Sequence, residues 1–111
     1  MAEHIKVVQP SGVLDATRSQ DFREEIIQSL ESKPKMVLVD LKDITFMDSS
    51  GLGALVLAFK TLRASETKLV LCSINEQVKI LFELTGMDKV FEIFSNQDEF
   101  HKAVLTPSAL N

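Results

Sequence analysis

Two strand-length runs, Met36-Val37-Leu38-Val39-Asp40-Leu41 and Lys68-Leu69-Val70-Leu71-Cys72-Ser73, are almost continuously apolar. Between them Leu52, Leu55, Val56, Phe59 and Leu62 recur at helical spacing. A strand that is apolar on both sides must be covered on both sides, and a helix between two such strands is long enough to return the chain in the same direction. The pattern therefore predicts a parallel crossover unit inside an α/β domain.

The flanking segments extend this unit. Ile5 to Val8 reads as a strand, Pro10-Ser11-Gly12 as a turn, and Val13-Leu14 as a second short strand, antiparallel to the first. Phe22, Ile26, Ile27 and Leu30 fall on one face of a helix that Asp15 or Thr17 would cap and that stops before Pro34. Ser73 and Glu76 have capping-box spacing ahead of a helix through Val78, Leu81, Phe82 and Thr85, which Gly86 would end. Val90 to Phe94 is a last strand, and Ser95 would cap a final helix carrying Phe100 and Val104. The order β-β-α-β-α-β-α-β-α predicts one domain over residues 1–111. Its core spans about residues 4–105, and the tail frays from Thr106. Its sheet is expected to be mixed but mostly parallel, with four to five strands and about four helices, and ligand or interaction chemistry belongs beyond the carboxyl ends of the strands.

Composition removes several function classes. The chain has 111 residues, 45% of them hydrophobic, enough for a single core. Its net charge is −4 and its twelve Lys and Arg are dispersed. Nucleic acid and anionic membranes both require a concentrated basic face, so neither is an expected partner. One cysteine, Cys72, excludes an internal disulfide and a Cys-rich metal site, and a reducing, cytoplasmic setting is expected. Cys72 itself reads as a small buried hydrophobe. No apolar stretch reaches the roughly 18 residues of a membrane helix.

The candidate site is the stretch Ile44-Thr45-Phe46-Met47-Asp48-Ser49-Ser50-Gly51-Leu52-Gly53, where an apolar segment breaks into an acid, two hydroxyls and a glycine before turning helical. A hydrolase elbow needs Gly-x-Ser-x-Gly, and Met47 and Asp48 precede the serines instead. The two histidines, His4 and His101, lie near opposite ends of the chain and have no ligand spacing. A nucleotide-binding loop fails too, because Val56 stands where a third glycine belongs and no Gly-Lys-Ser/Thr occurs. The chain is thus read as a non-enzyme without cofactor or metal. Two readings of the serines stay open: a plain helix cap, or hydroxyls beside a docking surface. Gly53, Ala54, Leu57 and Ala58 fall off the sheet-facing strip, and either a partner or a neighbouring helix would cover them. Phe46 and Met47 are assigned to the core beneath the loop.

Phe46-Met47-Asp48-Ser49-Ser50-Gly51-Leu52-Gly53, then Leu69-Val70-Leu71-Cys72 and Val78-Lys79-Ile80-Leu81-Phe82-Glu83-Leu84-Thr85-Gly86, resemble the STAS domain and, more narrowly, the bacterial anti-sigma factor antagonists. Gly12-Val13-Leu14-Asp15 matches the family's early Gly-x-Leu-Asp segment. The resemblance implies a binding protein controlled by phosphorylation. The unmodified form would bind an anti-sigma factor that is also a serine protein kinase, freeing the sigma factor; that kinase would phosphorylate the antagonist, and a serine phosphatase would reset it. The implied acceptor is Ser50, with Ser49 in reserve. Asp15 and Asp48 are expected beside it, placing the hydroxyl or a metal carried in with the kinase's nucleotide. The partner surface would comprise Asp15, Asp48, Ser49, Ser50, Gly51, Gly53, Ala54, Leu57 and Ala58, and the free chain is expected to be a monomer. STAS-like domains also serve as scaffold or regulatory subunits of stress-sensing or transporter complexes, which is the alternative.

Overall fold

The computed structural model describes residues 4–105. Along the chain run β1 (Ile5–Val8), β2 (Ser11–Leu14), α1 (Ser19–Gln28), β3 (Met36–Asp40), β4 (Asp43–Met47), α2 (Ser49–Ala64), β5 (Lys68–Cys72), α3 (Glu76–Thr85), β6 (Ile93–Phe94) and α4 (Gln97–Leu105). The tail expected to fray lies outside the described residues.

The two apolar runs become neighbouring parallel strands, with Met36 opposite Lys68 and Asp40 opposite Cys72. The four-stranded sheet has the order β1-β3-β5-β6, and each pairing in it is parallel. Alternation along the strands splits their side chains between two layers. Val37, Val39, Leu69 and Leu71 join Phe22 and Ile26 of α1, Leu52, Leu55 and Leu62 of α2, and Val78 and Phe82 of α3 in the main core. Leu38, Val70 and Cys72 point the other way, onto Phe100 of α4. Phe100 is fully buried, which contributes roughly 2–3 kcal/mol. Both faces are covered, as the continuous apolar runs required.

The first two strands do not form a hairpin. β1 pairs with β3, while β2 leaves the main sheet and lies parallel to β4 in a second, two-stranded sheet. A two-residue hairpin needs positive φ at its first loop position, here the non-glycine Gln9, and in a type I′ turn also at the second, which Pro10 with φ fixed near −65° cannot supply. Gly12, expected in the turn, lies inside β2 at φ 90°, where the register shifts. Gly12 opposes Ile44 and Val13 opposes Phe46, so Thr45 is an extra, bulged residue. The bulge also explains why β4 has no strand periodicity: Ile44 and Met47, three positions apart, are both buried.

Three caps differ from expectation. α1 begins after Arg18 without a side-chain cap, because Asp15 spends its carboxylate on a local turn to Thr17. Asn75, not Ser73, caps α3, and its side chain accepts from Val78 N. Ser73 instead has a left-handed backbone, φ 65°. At α4 the accepting side chain is that of Asn96, bound by Glu99 N, in place of Ser95. Gly86 ends α3 in the left-handed conformation, as read. The last strand shortens to Ile93–Phe94. Phe46 is 44% exposed, so only Met47 plugs the core.

Candidate functional site

The parallel pairing of β2 with β4 builds the site. Leu14 partners Met47 at the carboxyl ends of the two strands, so the residues that follow, Asp15 and Asp48, emerge at neighbouring positions. Asp48 N donates to Leu14 O at 3.2 Å, fixing the junction. Among the described residues no strand lies beside the second edge of β4. Two side chains from the start of α3 take over: the Asn75 side-chain amide donates to the carbonyls of Ile44 and Thr45, and Gln77 binds both Met47 N (2.9 Å) and Met47 O (2.7 Å). The strand leading into the serines is therefore held on both edges. No motif pointed to Asn75 and Gln77, since an amide satisfying backbone groups about thirty residues away leaves no local signal.

Asp48 is the cap of α2. Its backbone is extended and its Oδ1 accepts from Ser50 N (2.9 Å) and Gly51 N (3.1 Å). This decides the first open question: neither serine hydroxyl is needed as a cap. Ser49 is exposed and Ser50 half-buried, and both border an open groove of about 680 Å³. Ser19 and Arg23 of α1 form one wall of this groove, Thr85 and Met87 lie at another, and Leu52, Gly53, Ala54, Val56 and Leu57 of α2 form its floor.

The second question divides residue by residue. Gly53 and Leu57 are exposed, Leu57 by 49%. Ala58 is fully buried and Ala54 nearly so, in a helix that packs against α1. Gly51 is buried as well, with the Leu14 carbonyl oxygen only 2.4 Å from where a Cβ would stand. Gly51 and Ala58 thus belong to the interior and are removed from the expected partner surface. Asp15 and Asp48 flank the groove without lining it. The Thr17 hydroxyl, 2.6 Å from Asp15 Oδ1, holds that carboxyl below the usual carboxylate range.

Among the described residues no cluster of His, Cys, Asp and Glu could hold a metal ion. Cys72 is buried, and burial pushes its thiol up, away from the reactive thiolate.

The STAS domain family profile matches residues 2–100. The chain belongs to the STAS domain family. The anti-sigma-B factor antagonist of Listeria monocytogenes is 34% identical over 100 residues, covering 89% of this chain and 86% of that protein. Among solved structures, an anti-sigma factor antagonist from Mycobacterium paratuberculosis superposes with a TM-score of 0.81 at 25% identity, covering 94% of this chain and 88% of that one. The Bacillus cell fate determinant SpoIIAA in its phosphorylated form gives 0.66 at 17% identity, covering 93% and 94%. The STAS domain of a SulP transporter from Vibrio cholerae gives 0.77 at 18% identity, covering 100% and 88%. The STAS fold alone is thus shared by antagonists and transporter domains. Among the described residues of this STAS domain, no helix is long and apolar enough to cross a membrane.

Proposed function

We propose that this STAS domain is a cytoplasmic anti-sigma factor antagonist whose binding is switched by phosphorylation of Ser50. The observation that carries this reading is Ser50 at the groove beside Leu57, its hydroxyl without a hydrogen-bond partner among the described residues and with Asp48 already serving as the cap. The unmodified groove receives an anti-sigma factor that is also a serine kinase, through Ser49, Ser50, Gly53, Ala54 and Leu57. Asp15 and Asp48 help to place the acceptor hydroxyl. Ser50 Oγ attacks the γ-phosphorus of the kinase's ATP; the new O–P bond forms as the bond to ADP breaks, and the hydroxyl proton passes to a base on the kinase. A serine phosphatase resets the protein, with water displacing Ser50 Oγ to give inorganic phosphate.

The modification adds roughly −1.5 to −2 charges beside Asp48. Each ~1.4 kcal/mol of repulsion or desolvation weakens the complex about tenfold, so even about 3 kcal/mol releases a micromolar partner. Closeness in sequence to the Listeria antagonist favours this reading over a transporter subunit.

The test is incubation with the cognate kinase and ATP followed by mass spectrometry. Phosphate is expected on the wild type and absent from Ser50→Ala; equal labelling of both would overturn the assignment and point to Ser49. In a binding assay Ser50→Ala should retain the partner while Ser50→Asp loses at least tenfold. The reverse order would refute release by charge.

A further inference from the structure

Among the described residues, Arg23 is the one ionisable side chain in the lining of the Ser50 groove. It lies one helical turn beyond Ser19, so both side chains project from the same face of α1. Arg23 is half-buried, and among the described residues it makes no hydrogen bond or ion pair. Its neighbour Arg18 behaves differently, donating to the Ser11 carbonyl at 3.1 Å. Arg23 shares the groove with the apolar Leu52, Ala54 and Leu57 and has no counter-charge in its lining, an arrangement that leaves its guanidinium open to an incoming anion.

The anion has a definite source. A phosphate on Ser50 would find little at its own helix end, because the amides of Ser50 and Gly51 are already given to Asp48. The Asp48 carboxylate beside it is repulsive, and Asp15 emerges next to Asp48. Opposite charge is available across the groove, at Arg23. We propose that Arg23 is the internal receptor for the phosphate of modified Ser50, closing a charge-assisted bridge from α2 to α1 across the docking groove. This rests on Ser50 being the modified residue. Arginine suits the role, since its fork matches phosphate oxygens two at a time. The bridge would fill the groove with the chain's own phosphate and cover Gly53 and Ala54, so release would come from occlusion as well as from repulsion.

The test avoids the kinase. Phosphoserine is inserted at position 50 during translation, and phosphorus NMR follows the second ionisation of the phosphate in otherwise wild-type protein, in Arg23→Gln and in Arg23→Lys. A cation in contact favours the dianion, so Arg23→Gln should raise the midpoint by about half a unit or more, while Arg23→Lys should keep most of the difference. Midpoints that agree between wild type and Arg23→Gln would overturn the proposal. If Arg23→Gln melts early, the Nε–H resonance of Arg23 in the unmutated protein decides: it should move downfield on phosphorylation, and an unmoved resonance refutes the bridge. A kinase that leaves Ser50 unmodified would end the phosphorylation reading without changing this titration. An indifferent Arg23 would end the bridge and leave that reading intact.

Discussion

Gly51 and Gly53 stand two residues apart on α2 and meet opposite surroundings. A Cβ on Gly51 would lie 2.4 Å from the Leu14 carbonyl oxygen, 2.9 Å from Leu14 Cβ and 3.0 Å from Met47 Cγ, whereas a Cβ on Gly53 would meet nothing within 4 Å. The inner side of the first turn is closed by backbone that cannot give way; the outer side is empty. The difference explains how one helix end can be both a rigid structural joint and a place where a bulky anion is added. Ser50 and Leu57 share the open side with Gly53 and border the groove, while Gly51, Leu55, Ala58 and Leu62 form the closed strip.

Four substitutions would break or sharpen that contrast. The largest effect is expected from Gly51→Ala, which must push β2 away from α2 and should cost about 3 kcal/mol in denaturant unfolding; a loss below ~1 kcal/mol would mean that the joint is not tight. Asp48→Ala removes the acceptor for two amides and should cost about 1 kcal/mol by the same measurement. Gly53→Ala, on the empty side, should instead gain roughly 0.5–1 kcal/mol, because alanine restricts the unfolded chain and strengthens the helix. The smallest effect belongs to Ser50→Asp, whose melting curve should stay within about 0.5 kcal/mol of wild type even though partner binding falls. A large destabilisation by Ser50→Asp would erase the distinction between the two sides.

The acid limb of stability offers a further check on the junction that positions both sides. Asp15 is held below its ordinary range by the Thr17 hydroxyl. A depressed carboxyl contributes stability that is present above its unfolded-state value and lost as pH falls through the folded one. Asp15→Asn should therefore flatten the loss of stability below the ordinary carboxylate range. An acid-unfolding profile unchanged by the substitution would place Asp15 outside the junction's energetics.

Much of this fold follows from local pattern. The doubly covered strands β3 and β5, the amphipathic helices and the stop at Gly86 all declare themselves through apolar periodicity or through one residue's backbone preference. The serine pair and the helix after it were equally plain, because an abrupt change from apolar to small and polar residues marks a strand-to-helix joint. Strand β4 was hidden by the Thr45 bulge, which breaks period-two alternation. Two caps were misjudged by one or two positions because Asn75 and Asn96 are interchangeable by chemistry with the nearby Ser73 and Ser95, and only the chain path selects among them, while α1 has no side-chain cap.

What the sequence by itself determined was an α/β domain with a hydroxyl pair at a helix start, since hydrophobic period and cap chemistry are properties of neighbouring residues. Three things were decided by tertiary structure alone. One was the parallel pairing of β2 with β4, which sets Asp15 beside Asp48. The second was the clamp of Asn75 and Gln77 on the far edge of β4, and the third was the placing of Arg23 and Ser50 in the lining of one groove. Each joins residues distant along the chain, and such contacts depend on how helices and strands are placed against one another, which no local spacing records.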